Sequence, residues 1–224
     1  MKTNMTDNNS HTTSNSSFPP SDAVRLPHDW VETTLGEVVN HVKNNIIPSK
    51  EPSKIFSHYS IPSFDDGKKA VSELRENILS NKYEVISKSF LVSKLNPSTP
   101  RIWTIFEPEE NAICYTEFQV FQPKNEKHFA IYHCFLNSQI FTDELSQKAH
   151  GTSSSHQRVK PQDILDLDFF IPNETDILSF QEKVLPLLEK ITDNSEQIQS
   201  LSQTRDELLP RLMRGEVRVD NLPI

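Results

Sequence analysis

From Ile177 onward, apolar residues recur at intervals of seven, and no other property of this 224-residue chain restricts its fold so tightly. One seam runs Ile177, Val184, Ile191, Ile198, Arg205, Leu212; a second runs Phe180, Leu187, Asn194, Leu201, Leu208. Two seams offset by three and four draw a continuous apolar stripe along a helix, and such a stripe has to be covered by a partner helix. The alternative is the end of a helix packed on its own domain. Only Asn194 and Arg205 interrupt the stripe; single polar seam residues lower stability while fixing register and strand number. The expected interface is therefore Val184, Ile191, Asn194, Ile198, Leu201, Arg205 and Leu208. A helix over about 174–209 is predicted. Pro186, lacking a backbone donor, should kink it or mark its true start, and Pro210 with Gly215 should end it.

Before the seam the pattern differs. Residues 1–25 are rich in Asn, Ser, Thr and Pro and offer too little apolar surface to offset ordering entropy, so a disordered tail is expected. Residues 26–172 read as a domain that alternates strand-like runs (KSFLVSKL, RIWTIF, AICYTEFQVFQP) with turns. In the last run Cys114, Thr116, Phe118 and Val120 should share one face. HFAIYHCFLNSQIFTDELSQKAH reads as a helix of about 20 residues with Phe129, Phe135, Leu136, Ile140 and Leu145 inward. A short helix at VKPQDIL and a strand at DFFIP follow. The fold class is α+β: one domain, then a coiled-coil-forming helix with its tail over 173–224.

Several chemistries have no place in the sequence. The four glycines, Gly36, Gly67, Gly151 and Gly215, lie far apart, so neither a P-loop nor a dinucleotide turn can be written. LNPSTP superficially resembles the Asn-Pro-Pro-aromatic loop of adenine methyltransferases but lacks its second proline and aromatic, and reads as a turn. GTSSSH lacks the second glycine of a nucleophile elbow. The histidines show no metal spacing, and Cys114 and Cys134 read as buried free thiols. No apolar run is long enough to span a membrane and no secretory signal is readable, so a cytoplasmic protein is expected. The chain points to binding rather than catalysis.

Formal charge of −8 argues at first against a nucleic-acid partner. The charge is unevenly placed, however. Lys43 to Arg101 carries ten Lys/Arg against six Asp/Glu, whereas the segment from Asn173 onward carries six against ten.

The helix end QSLSQTRDELLPRLMRGEVRV closely resembles that of type I restriction-modification specificity subunits. The entry LPHDWVETTLGEVV, HYSIPSFDDGK, SKSFLVSKLNPSTPRIW, CYTEFQVFQP and GTSSSHQRVKPQDILDLDFFIP agree with the same family. Members usually carry two target-recognition domains and two conserved helices; this sequence resembles half of one. The resemblance implies a non-catalytic DNA-binding subunit without a cofactor of its own. Modification subunits would bind SAM and methylate adenine, and restriction subunits would use ATP. Carrying one domain and one helix leaves open a dimer, a half that complements another, or a remnant; a homodimer with the helices antiparallel is expected. A scaffold that binds modification or full specificity subunits through its helix without reading DNA is the alternative.

Groove readout favours Arg, Lys, Gln, Asn, Ser and Thr on loops. Gly151 to Lys160 concentrates Thr152, Ser153, Ser154, Ser155, His156, Gln157, Arg158 and Lys160, a composition suited to base edges and phosphates, or to an ordinary polar loop capping the next helix. His58, Tyr59, Lys68 and Lys69 form a second candidate set, or a surface turn. Arg101 and Trp103 read as framing a strand.

Overall fold

The computed structural model describes residues 28–52, 54–150 and 157–216. Its organising element is strand β7 (Ser89–Ser93), whose residues are all buried. A strand covered on both faces loses the polar alternation of a half-exposed one, which is why SFLVS reads as nearly continuous apolar sequence. In order of position across the central antiparallel sheet, β2 (Val39–Val42) pairs with β10 (Phe118–Pro123), β10 with β7, and β7 with β8 (Ile102–Ile105).

Phe90, Val92, Ile102 and Phe121 point to one side of this sheet, and Leu91, Trp103, Ile105 and Val120 to the other. The second side is covered by a five-stranded sheet of order β3 (Asn45–Ile46), β6 (Lys82–Glu84), β9 (Ala112–Cys114), β4 (Ile55–Tyr59), β5 (Val71–Leu74). Only β4 and β9 run parallel in it. Tyr59, Val85, Ala112 and Cys114 from the region of this sheet fill the space between the layers. The first side is covered by helices: α1 (Leu35–Val38), α3 (Phe129–Leu136), α4 (Gln139–Gln147) and α5 (Pro161–Leu165). Phe129 of α3 stacks on Phe90 with centroids 4.7 Å apart. A two-stranded ribbon of β1 (Val31–Thr34) and β11 (Asp168–Ile171) closes this layer through Phe169. A further helix, α2 (Ile61–Asp65), follows β4 behind a Ser60–Ser63 capping box.

The α+β class read from the sequence holds, with local corrections. The predicted 20-residue helix is two helices, because Ser138 Oγ accepts from Phe141 N and so caps a new N-terminus. Ile140, expected inward, is exposed. AICYTEFQVFQP is two strands in different sheets, joined by a turn in which Phe118 N donates to Tyr115 O. Cys114, Phe118 and Val120 nevertheless reach the same interlayer core. Cys114 is buried, but Cys134 is exposed on the outer side of α3.

The last element, α6 (Glu174–Met213), is 40 residues long, about 60 Å at 1.5 Å per residue. Asn173 caps it by accepting from Asp176 N, and Glu174 and Asp176 place negative charge in the first turn. It runs on through both prolines, ending beyond the predicted 209; Gly215, at φ +73°, stops it in the left-handed conformation. Its first half lies along the domain. Glu174 meets His128 at 2.8 Å, Gln181 Oε1 accepts from Ala130 N at 2.7 Å, Lys88 faces Glu189 at 3.8 Å, and Gln199 Nε2 donates to Gly67 O at 3.0 Å.

The two apolar seams therefore divide. Ile177 is buried and Phe180 and Val184 are half-buried. From Leu187 onward the stripe faces outward: Leu187, Ile191, Ile198 and Leu201 are 62, 61, 65 and 69% exposed. Asn194 and Arg205 are also exposed, and Leu208 is partly covered.

Candidate nucleic-acid interface

At one end of the central sheet, charged residues stand one position beyond each strand: Lys43 after β2, Glu117 before β10, Lys94 after β7 and Arg101 before β8. Because the four strands alternate in direction, these four positions come to a single edge in that order. Successive strands lie about 4.8 Å apart, so the row extends roughly 14 Å, comparable to a major groove about 12 Å wide.

Two further segments join this edge. Asn96 N donates to Gln157 O and Val159 N to Lys94 O, while His150 and Arg158 exchange backbone bonds, so the segment around Arg158 is laid against the turn after β7. Arg158 Nη2 reaches Glu117 Oε1 at 3.2 Å, and Lys94 Nζ stands 3.9 Å from Glu117 Oε2. On the other side, Arg101 grips Asp65 with two bonds of 2.7 and 2.9 Å, which hold that carboxyl below its usual pKa. Lys68 places its ammonium 4.8 Å from the centre of the Phe64 ring and 3.5 Å from Ile102 O. Although much of Lys68 is exposed, desolvation of this tip lowers its pKa.

The structure thus brings Lys68, Lys69, Gln157, Arg158 and Lys160 of the two candidate sets to the same end. It does not bring His58 and Tyr59 there as surface groups. Both are 5% exposed. His58 bonds Glu73 at 3.1 Å and stacks on Tyr115; Tyr59 packs against Trp103 and its hydroxyl accepts from Glu109 N. Thr152, Ser153, Ser154, Ser155 and His156 lie outside the described residues. Trp103 is buried in the interlayer core.

Sequence reading missed Lys43, Lys94, Asn96 and Glu117. Nothing local marks them, because their grouping depends on strand order. Asn96 adopts φ +50° and its Oδ1 is buried without a hydrogen-bond partner. His41, bonded through Nε2 to Gln119 at 2.9 Å, has its pKa lowered chiefly by burial, with Lys43 and then Lys94 adding to the effect. Here Lys43, Lys68, Lys69, Lys94, Arg101, Arg158 and Lys160 stand with Asp65, Asp66, Glu117 and Asp163, whose Oδ2 accepts from Lys160 N at 3.0 Å; these residues sum to a local excess of three positive charges in a chain whose net charge is −8.

A second concavity, of about 360 Å³, opens where β4 and β9 begin, which is the opposite end from the basic edge. It is lined by Glu51, Glu84 and Glu109 with Lys54 as its one cation, a poor setting for phosphate. Among the described residues no cluster of three or more His, Cys, Asp or Glu could hold a metal ion. No helix among them is long and apolar enough to cross a membrane.

Fold and edge together define a two-sheet α+β domain with a basic rim, carried on a long helix with an uncovered apolar face. The fold is shared with known proteins. No family model matches the chain. Over 98 residues, 44% of the chain, it is 38% identical to the type I restriction enzyme MjaIX specificity subunit of Methanocaldococcus jannaschii, of which the match covers 22%. The HsdS subunit of Thermoanaerobacter tengcongensis has the same fold, with a TM-score of 0.57 at 19% identity over 89% of this chain and 52% of that one. The S subunit of the type I restriction-modification system of M. genitalium aligns with a TM-score of 0.54 at 14% identity over 84% and 47%. The chain thus spans about half the length of these solved subunits. It is similar to a type I specificity subunit in sequence over its matched segment and to such subunits in fold over most of its length, with one two-sheet domain and one long helix.

Proposed function

We propose that this chain reads DNA for a type I restriction-modification system, as the counterpart of one half of a specificity subunit. The observation that carries this reading is the basic edge: seven cations from four separate segments converge at one end of a domain in an otherwise acidic chain. Lysines and arginines there would neutralise phosphates, while Asn96, Gln157 and Arg158 are of the types that read base edges.

The chain would work in the cytoplasm without a cofactor of its own. SAM and ATP would sit on modification and restriction subunits, the first methylating adenine where the domain docks. A structural neighbour described under the assembly of the type I system supports subunit partnership of this kind. The exposed half of the seam supports a homodimer, whose two-fold symmetry calls for two identical inverted half-sites around an unread spacer.

The test is methylome sequencing of cells expressing this chain with a modification subunit. Adenine methylation at an inverted bipartite site, dependent on this chain, is the expected result. An asymmetric bipartite site would instead make the chain a complement to a different half. Duplex binding indistinguishable from that of a variant lacking the basic edge would leave the scaffold reading, in which only the helix acts.

A further inference from the structure

The exposed seam reads with the same polarity in both directions. Its members from Leu187 are Leu187, Ile191, Asn194, Ile198, Leu201, Arg205, Leu208 and Leu212. Laid antiparallel against a second copy, they match in one register only: Leu187 with Leu212, Ile191 with Leu208, Asn194 with Arg205 and Ile198 with Leu201. Each polar residue then meets the other, and every apolar residue meets an apolar one. Sliding one copy by a heptad sets Arg205 against Leu201 or Leu187, and Asn194 against Leu212 or Ile198. Both slips set the Arg205 guanidinium against a leucine, so that the donors not taken by Asp206 find no acceptor across the seam, at a desolvation cost.

We infer that this chain pairs with a second copy of itself in that register, and that Asn194 and Arg205 of opposite copies form the contact that specifies it. The inference rests on the homodimer reading above and adds its geometry. The two-fold axis falls between Gln199 and Ser200, and the helices overlap from Pro186 to Met213, about 42 Å at 1.5 Å per residue. That overlap begins where the structure releases the seam: Ile177 is buried and Val184 half-buried by their own domain, whereas Leu187 is 62% exposed.

The chemistry of the polar pair fits. Arg205 spends one face on Asp206, 2.8 Å away, and a guanidinium carries five N–H donors, so donors remain for the Asn194 carbonyl oxygen of the second copy. The flanks agree as well. In the same register Leu188 comes beside Leu209 of the second copy and Ser195 beside Ser202, closing one side with small and apolar groups. On the other side Lys190 lies level with both Glu207 and Arg211 of the second copy, so that flank carries one net positive charge per copy, with Glu207 placed to pair with either cation. Polar pairing inside an otherwise apolar seam trades stability for a single register.

Disulfide trapping on the full chain decides it. In a Cys134→Ser background, copies carrying Asn194→Cys are mixed with differently tagged copies carrying Arg205→Cys, and oxidised. Parallel mixtures pair Asn194→Cys with Ile198→Cys or with Leu212→Cys, the two slipped registers. The expected result is a cross-link at least tenfold faster in the first mixture. A faster cross-link in either slipped mixture overturns the register while leaving the homodimer intact. A monomer by sedimentation, with no cross-link in any mixture, overturns the homodimer itself. A second measurement varies the polar pair itself: Asn194→Leu with Arg205→Leu should raise the melting temperature of the dimer and give cross-links of comparable rate from Ile198→Cys copies mixed with Leu201→Cys copies and from Ile191→Cys copies mixed with Leu201→Cys copies, the second a slipped register. Unchanged melting with one retained register would also overturn the assignment.

Discussion

Replacing Ile198 with Asp should separate the two copies while leaving each domain folded. In the single chain Ile198 is 65% exposed and touches no part of the domain core, so its loss removes little from the fold. In the pair it sits beside the two-fold axis against Leu201 of the second copy. Full burial of an isoleucine contributes about 1.5–3 kcal/mol, so covering the exposed two thirds contributes about 1–2 kcal/mol per copy. The substitution occurs twice in a dimer, and each carboxylate additionally costs about 1–3 kcal/mol when buried without a donor. The sum is about 4–10 kcal/mol, hence a dissociation constant raised at least about 500-fold at about 1.4 kcal/mol per tenfold. Sedimentation equilibrium across a concentration series measures this directly. Ser200→Asp, on the outward side of the same turn, serves as control and should shift the constant less than tenfold. A dimer of wild-type affinity in the Ile198→Asp variant would refute the assignment of this face, as would a variant whose domain no longer melts cooperatively.

Other outcomes follow from the basic edge and the buried groups. Arg158→Ala, or Lys68→Ala with Lys69→Ala, should weaken duplex binding by about 1–3 kcal/mol and reduce the salt slope by about one unit for each phosphate that is no longer neutralised, whereas Lys54→Ala at the opposite end should change neither. His41, His58 and His133 all have pKa values lowered chiefly by burial. A folded pKa below the unfolded value means the native state binds fewer protons, so their contribution is present above the ordinary histidine value of about 6.5 and is lost as pH falls below it. Melting temperature should therefore be nearly level from pH 7 to 8.5 and decline below pH 6.5; a rise on acidification would contradict the burial of these rings. Thiol titration should detect Cys134 in the native protein and Cys114, whose pKa is pushed up to about 12 by burial, only after unfolding.

How far the sequence foretold this structure depended on the range of the interactions involved. The helix from Glu174 was legible because seven-residue periodicity is a property of one segment, and the strands at Ser89–Ser93 and Ile102–Ile105 were legible because apolar runs of that length suit buried strands. Pro186 does not mark the start of the helix and Pro210 does not end it, because a proline's local cost is set against the packing that a 40-residue helix gains along Gln181, Glu189 and Gln199. His58 and Tyr59 looked like surface groups beside a charged turn. Their burial follows from β4 lying between β5 and β9, which no local pattern records. The row of Lys43, Lys94 and Arg101 was illegible for the same reason: each residue is unremarkable until strand order assembles them.

The attachment of α6 at both ends of the domain has a mechanical consequence. Glu174 is tied to His128 and, some 25 residues later, Gln199 to the carbonyl of Gly67, beside Lys68 and Lys69. A rod fastened at two well-separated points resists swivelling relative to the body it carries. Torque applied at the Gly67 loop, as when a bound polymer bends or twists against it, passes into the rod at the very level where a second rod would be joined. The domain and its helix would then turn as one rigid arm, and a twist felt by one arm would be carried across the joint to the other.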